Sequence, residues 1–205
     1  MRVAVVQGSL TEGEELVLVN ASNTNVQLGT GVSGAIRRAC GKGYQAHIVD
    51  ELNATFGGPM SQGEVLVTDA GAHPHARWVA HVAVMDYRDG FTGDSFPTLE
   101  TIRLACVRLW SAIEGMGERD LSVAMVALGA GTGNLGVRAP TEIACATLAD
   151  HVAKHPDSAI TRVVFYGFEA TEYLAMADVV TQFHPEVAET LSPDVRDYLR
   201  KARGL

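Results

Sequence analysis

Two stretches of this sequence combine glycine spacing with a position that suits the holding of an anion. The first runs from Asn20 to Ile36 and reads NASNTNVQLGTGVSGAI. A strand-like run ends at Asn20, and a helical pattern begins near Gly31. Glycines at 29 and 31 let backbone N–H groups approach a ligand closely. The new helix adds unpaired N–H donors and the positive end of its dipole. The second stretch runs from Gly129 to Gly136 and reads GAGTGNLG. It follows LSVAMVAL, a run apolar throughout, and precedes a helix expected at Pro140. One such loop serves equally well as a plain turn before a helix. Two of them, each at the C-terminal end of a strand, point to a diphosphate, because ligands of open α/β sheets gather at those ends.

Other chemistry is less well supported. Gly131, Gly133 and Gly136 formally spell the dinucleotide fingerprint G-x-G-x-x-G. That fingerprint normally opens the first βαβ unit, with an acid about 20 residues on. Here it comes late, and Glu169 lies further away. A dinucleotide-dependent oxidoreductase is therefore the last of three functional readings. His73-Pro74-His75 lacks a third ligand in a recognisable pattern and reads as a polar loop, so no metal is expected. His81, within an apolar run, reads as a core histidine rather than a base. Asp86–Asp89 reads as a solvated loop entry; the alternative is that the segment Asp86–Pro97, with Phe91 and Phe96, covers a pocket or an interface.

The elements that must position these loops alternate between strand-like and helical runs, which argues for a layered α/β fold. Expected strands are Val3–Gln7, Leu16–Asn20, Glu64–Thr68, Arg77–Met85, Leu121–Leu128 and Ile160–Tyr166. Val32, Ala35, Ile36, Ala39 and Cys40 form one helical stripe, and Ile102, Cys106, Leu109 and Ile113 another. A further helix carries Pro140 in its first turn and turns Cys145, Leu148, Ala149 and Val152 to the core. Ser192-Pro193-Asp194 caps a last helix, which ends among Arg200, Lys201 and Arg203.

With 205 residues, 47% of them hydrophobic, the chain suits one domain over its whole length. No apolar run approaches the roughly 18 residues that span a bilayer. MRVAVVQGSL reads as a strand rather than a signal peptide, so a cytoplasmic location and no membrane association are expected. Cys40, Cys106 and Cys145 are odd in number and far apart, as expected of reduced, buried thiols. A formal charge of −8 gives no long-range attraction for nucleic acid, so an anionic ligand must be held by local donors.

VLVNASNTNVQLGTGVSGAIRRACG resembles the signature of macro domains, the ADP-ribose-binding module. In that family a strand leads to Asn-Ala-Ala-Asn, a glycine cluster, Val and a Gly-Ala-Ile-like helix. The resemblance continues in order along the chain. Gln7-Gly8-Ser9-Leu10 is similar to the family's Gly-Asp-Ile turn, Gly63–Gly71 to its Gly-x-x-x-x-T-x-G segment, and Trp78–His81 to its Val-Ile-His strand. Val126–Gly136 is similar to its second phosphate loop, and Val164–Glu169 to its final strand and aromatic.

The resemblance implies a three-layer α/β/α fold around a mixed sheet of six or more strands, with no cofactor. It implies that Asn23 hydrogen-bonds the distal ribose. Gly29, Thr30, Gly31 and Val32 offer N–H groups to the diphosphate, and Gly129, Ala130, Gly131, Thr132, Gly133 and Asn134 close over its other side. Ser9 and Leu10 border the adenine, and Phe168 stacks on it; the alternative for Phe168 is a core residue at a strand end. Departures from the pattern bear on activity. Ser9 stands where the family usually has an Asp, and Thr30 replaces the middle glycine of its cluster. Ser33 and Gly133 stand where different branches carry an acid. The expected partner is therefore ADP-ribose or an ADP-ribosylated macromolecule, bound rather than cut. Hydrolysis of O-acetyl-ADP-ribose or a mono-ADP-ribosyl ester is the alternative.

Overall fold

The computed structural model describes residues 1–204. Six strands are present: β1 (Arg2–Gln7), β2 (Val17–Asn23), β3 (Val65–Asp69), β4 (Trp78–Met85), β5 (Leu121–Met125) and β6 (Ile160–Gly167). They form one mixed sheet in the order β1-β6-β5-β2-β4-β3. Every neighbouring pair is parallel except the antiparallel edge pair β3–β4. Parallel strands need covering on both faces. The near-complete burial of β4 and β5 reflects that cover.

The helices are α1 (Gly31–Ala39), α2 (Tyr44–Phe56), α3 (Leu99–Glu114), α4 (Arg138–Lys154), α5 (Ala170–Phe183) and α6 (Pro193–Ala202). They flank the sheet as an α/β/α sandwich. α1 packs on β2 and α2 on β3, while α3, α4 and α5 contact one another in series. Cys40, Cys106 and Cys145 are free and buried, and burial pushes the Cys106 and Cys145 thiols up to about 12.

Several boundaries differ from the sequence expectation. β2 does not end at Asn20: Ala21, Ser22 and Asn23 stay paired with β4 across a register shift between Ser22 and Asn23. β5 ends at Met125, not Leu128, because the chain leaves the sheet to build the second glycine loop. α4 starts at Arg138, so Pro140 sits in its first turn as expected, where a proline removes only an N–H that has no helical partner. Ala149 faces solvent, not the core. The buried stripe of α4 runs through Thr141, Ala144, Cys145 and Leu148, and the next residue lies about 100° round the helix from Leu148.

The C-terminal helix is held by charge. Ser192 caps it through the Val195 N–H. Arg203 then reaches α5, donating from Nε to Asp178 Oδ1 (2.6 Å) and from Nη2 to the Thr181 hydroxyl (2.7 Å). Arg138 of α4 takes the other Asp178 oxygen. Burial alone would raise the Asp178 pKa, but the hydrogen bonds from the two arginines outweigh it and hold the carboxyl below its usual range. Removing one partner of a buried pair strands the others. Asp178→Ala is expected to cost about 3 kcal/mol and to release α6 first. Urea unfolding, with hydrogen exchange over residues 193–202, measures both effects.

Candidate functional site

The sheet order places the sequence motifs side by side. Gln7 pairs with Gly167, and the Gly8 N–H donates to the Gly167 carbonyl (3.0 Å). Ser9 and Phe168 therefore leave neighbouring strand ends. The second glycine loop follows β5, the first follows β2, and Tyr87 follows β4. Because these five strands are parallel, all of these segments emerge on one side. They border a single cleft of about 1010 Å³ that crosses four strand spacings, about 19 Å.

The first loop is built by Asn23. Its Oδ1 accepts from the N–H groups of Asn25 (3.1 Å) and Gln27 (3.2 Å), and its Nδ2 donates to the Gln27 carbonyl (2.9 Å). One Nδ2 proton remains for the cleft that Asn23 borders. Gln45 of α2 pins the same loop, donating to the Val26 carbonyl (3.1 Å) and accepting from the Leu28 N–H (2.7 Å). Thr30 is the N-cap of α1 but makes no side-chain cap, which leaves the first-turn N–H groups to a ligand. A Cβ at Gly29 or Gly31 would meet nothing within 4 Å, whereas one at Gly34 would lie 2.7 Å from the Gly29 carbonyl oxygen. Gly34 thus sets the loop against the helix, while Gly29 and Gly31 leave room in front of it.

The second loop folds on itself. The Leu135 N–H donates to the Gly129 carbonyl (3.1 Å) and the Asn134 N–H to the Gly131 carbonyl (2.9 Å). A Cβ at Gly133 would sit 2.6 Å from the Gly129 oxygen and 2.8 Å from its Cα. This backbone therefore has no space for a carboxylate-bearing residue at position 133. Gly131, by contrast, faces open space.

Beneath the first loop a buried chain of hydrogen bonds fixes its base. The Ser33 hydroxyl donates to Asn20 Oδ1 (2.8 Å), and Asn20 Nδ2 donates to His81 Nδ1 (3.0 Å). The neutral ring then carries its proton on Nε2, facing the Tyr44 hydroxyl (3.2 Å). Thr68 gives its proton to the Asp69 carbonyl and accepts from Tyr44 (both 3.0 Å). Complete burial lowers the His81 pKa to about 3, so the ring stays neutral. The Ser22 hydroxyl, on a residue bordering the same cleft, is buried without a partner.

At the other end, Phe168 is 65% exposed, so it is not the core residue that its position at a strand end also allowed. Glu172 accepts from the N–H groups of Phe168 (3.0 Å) and Glu169 (3.2 Å), which fixes the turn that presents the ring. After the neighbouring strand β1, the Ser9 and Thr11 hydroxyls lie 2.8 Å apart.

Of the residues that the resemblance assigns to the ligand, all but Asn134 border this cleft. Asn134 adopts a left-handed conformation (φ +57°) and is exposed. The sequence reading missed Thr11, Gln27, Arg38, Tyr87, Tyr166 and Glu172, which also border it. Thr11, Tyr87 and Tyr166 come from turns and strand ends, Gln27 from the first loop itself, and Arg38 and Glu172 from helices α1 and α5. Gln45 had a usable signal, since Tyr44, Ile48 and Leu52 mark a helical stripe between Gly43 and Gly57. Within the Asp86–Pro97 segment, Tyr87 reaches the cleft. Phe91 packs edge-on to Tyr87 and Phe96 but is largely exposed.

His73 is a loop organiser: its Nδ1 accepts from the N–H groups of His75 and Ala76. Among the described residues no group of three or more His, Cys, Asp or Glu side chains is placed to hold a metal, and no helix is long and apolar enough to cross a membrane.

The chain has known counterparts in sequence and fold. The chain is 28% identical to a macro domain-containing protein of Listeria monocytogenes over 82% of its own length and 91% of that protein. It is 29% identical to a Cronobacter sakazakii protein named O-acetyl-ADP-ribose deacetylase, over 89% and 95% of the two chains. In fold it is similar to a Trypanosoma brucei macrodomain solved in complex with ADP-ribose, with a TM-score of 0.69, 24% identity and coverage of 85% and 67%. The model of the Macro domain family matches residues 19–144, more than half of the sequence, from within β2 into the first half of α4; the chain belongs to the macro domain family.

Proposed function

We propose that this protein binds ADP-ribose, free or attached to a macromolecule, in the cleft across the strand ends. The observation that carries this reading is the linear order of the cleft. An exposed aromatic ring beside β1 and β6 is followed by two glycine loops on β5 and β2, and then by the Asn23 amide. That order matches a base, a diphosphate and a second ribose. The diphosphate takes the first-turn N–H groups of α1, where the helix dipole favours its charge. Binding to a chain of net charge −8 then rests on oriented local donors rather than on a basic field.

The cleft carboxylates Glu12 and Glu172 lie on the Phe168 side, and Glu172 is engaged in its own turn. Near Asn23 the acid-bearing positions are Ser33, which gives its proton to Asn20, and Gly133, which has no room for a side chain. A general base at the distal ribose is therefore not supplied by these positions, which favours binding over hydrolysis.

Two substitutions test the assignments of the base and of the diphosphate. Phe168→Ala removes an exposed ring without opening the core, and is expected to weaken ADP-ribose binding about tenfold while leaving the melting temperature unchanged. Gly131→Val puts a side chain into the space in front of the second loop and is expected to abolish binding in a folded protein. Calorimetric titration reads both. Wild-type affinity in either variant would remove the ligand from this cleft.

A further inference from the structure

The geometry points to a base subsite that accepts a purine with either an amino or a keto group at C6; this rests on the ADP-ribose reading above and extends it to the ligand class. Ser9 and Phe168 leave the adjacent ends of β1 and β6, so a base stacked on Phe168 presents its edge to the turn that follows Ser9. At position 9 that edge meets a pair of hydroxyls. Ser9 Oγ and Thr11 Oγ1 are 2.8 Å apart, either can be the donor, and both residues border the cleft. Ser9 Oγ also accepts weakly from the Thr11 N–H (3.4 Å).

Counting protons gives two arrangements. When Ser9 donates to Thr11, the Thr11 proton is free to donate and Ser9 keeps one lone pair. When Thr11 donates to Ser9, the Ser9 proton is free and Thr11 keeps its lone pairs. Each arrangement offers the ligand one donor and at least one acceptor, and rotation of two hydroxyls interconverts them. An adenine edge brings an amino donor at C6; a hypoxanthine edge brings a keto acceptor there. The pair matches both, so neither base leaves a polar group without a partner. An ionised carboxylate at position 9 would offer acceptors alone, and a keto base would then face an unsatisfied oxygen, at a cost that corresponds to about tenfold or more in affinity.

The test is a calorimetric titration of the full chain with ADP-ribose and with inosine diphosphate ribose, on the wild type and on Ser9→Asp. Asp is itself a strong helix-capping residue, so the turn after position 9 is retained. Thermal melting of both proteins verifies the fold. The expected result is a wild-type ratio of the two dissociation constants below roughly fivefold, and a shift toward adenine of about tenfold or more in Ser9→Asp. A wild-type ratio above roughly fivefold in either direction overturns the proposal. So does an unchanged ratio in folded Ser9→Asp. If neither ligand binds the wild type, the ADP-ribose reading itself fails, which is a different result from selective binding of one of them.

Discussion

Gly34→Ala should cost about 100-fold or more in ADP-ribose affinity, although helix propensity alone predicts a benefit. Gly34 lies within α1, where replacing glycine by alanine ordinarily stabilises by about 1 kcal/mol. Here the added Cβ would lie 2.7 Å from the Gly29 carbonyl oxygen, a backbone atom that cannot rotate aside. Reaching van der Waals contact requires a shift of roughly 0.8 Å. The first loop is pinned at its far side by Gln45 and by Asn23, so the movement falls on residues 29 to 31. Those residues supply the N–H groups proposed for the diphosphate. Losing two charge-assisted hydrogen bonds of about 1.5–3 kcal/mol each outweighs the propensity gain. Titration of a variant with unchanged circular dichroism is the measurement; undiminished affinity would show that the loop is not set by Gly34.

His81→Leu should destabilise the fold by about 3–4 kcal/mol. The imidazole is fully buried and joins Asn20 to Tyr44, so leucine leaves the Asn20 amide and the Tyr44 hydroxyl short of partners inside the core. The same residue gives the wild type a pH signature. The unfolded histidine takes a proton near pH 6.5, while the folded one refuses it until about pH 3. The unfolded state therefore binds more protons between these values. The His81 contribution is full above pH 6.5 and declines as the pH falls, by up to about 1.4 kcal/mol per pH unit. Burial also lowers the His73 pKa, with the same sign. A separate loss begins below about pH 4.5. Burial raises the Glu114 pKa, but hydrogen bonds from Ser158, Ala159 and His151 outweigh this and lower it to about 2. Urea unfolding between pH 6.5 and 5 isolates the histidines. The slope of stability against pH should be shallower in His81→Leu than in the wild type. Equal slopes would contradict a neutral, buried His81.

How much of this was legible in the sequence follows from where each signal resides. All six strands could be read because their apolar runs are local, and α1, α3, α4 and α6 had periodic stripes or caps. The end of β2 was not legible. Ala21-Ser22-Asn23 has the composition of a turn and is held as strand by pairing with β4, some sixty residues away in sequence. α5 was missed although a capping box starts it, from Glu169 to Glu172. The glycines were visible as a group, but their different duties were not. Gly34 and Gly133 are required by backbone neighbours, and Gly29 and Gly131 by open space, a distinction that exists only in three dimensions. The nearness of Phe168 to the Ser9 turn likewise depends on the alignment of β1 with β6. The absence of an acid at position 133 could be read directly, and its cause lies in the contact with Gly129.

The central claim is that the two loops and the residues at either end form one ADP-ribose site. Calorimetric titration of the unmodified chain with ADP-ribose tests it most directly. The account predicts one site per chain with a dissociation constant in the micromolar range, roughly −8 kcal/mol, and much weaker binding of AMP, which lacks the second phosphate and the distal ribose. No heat of binding and no rise in melting temperature at millimolar ADP-ribose would contradict it.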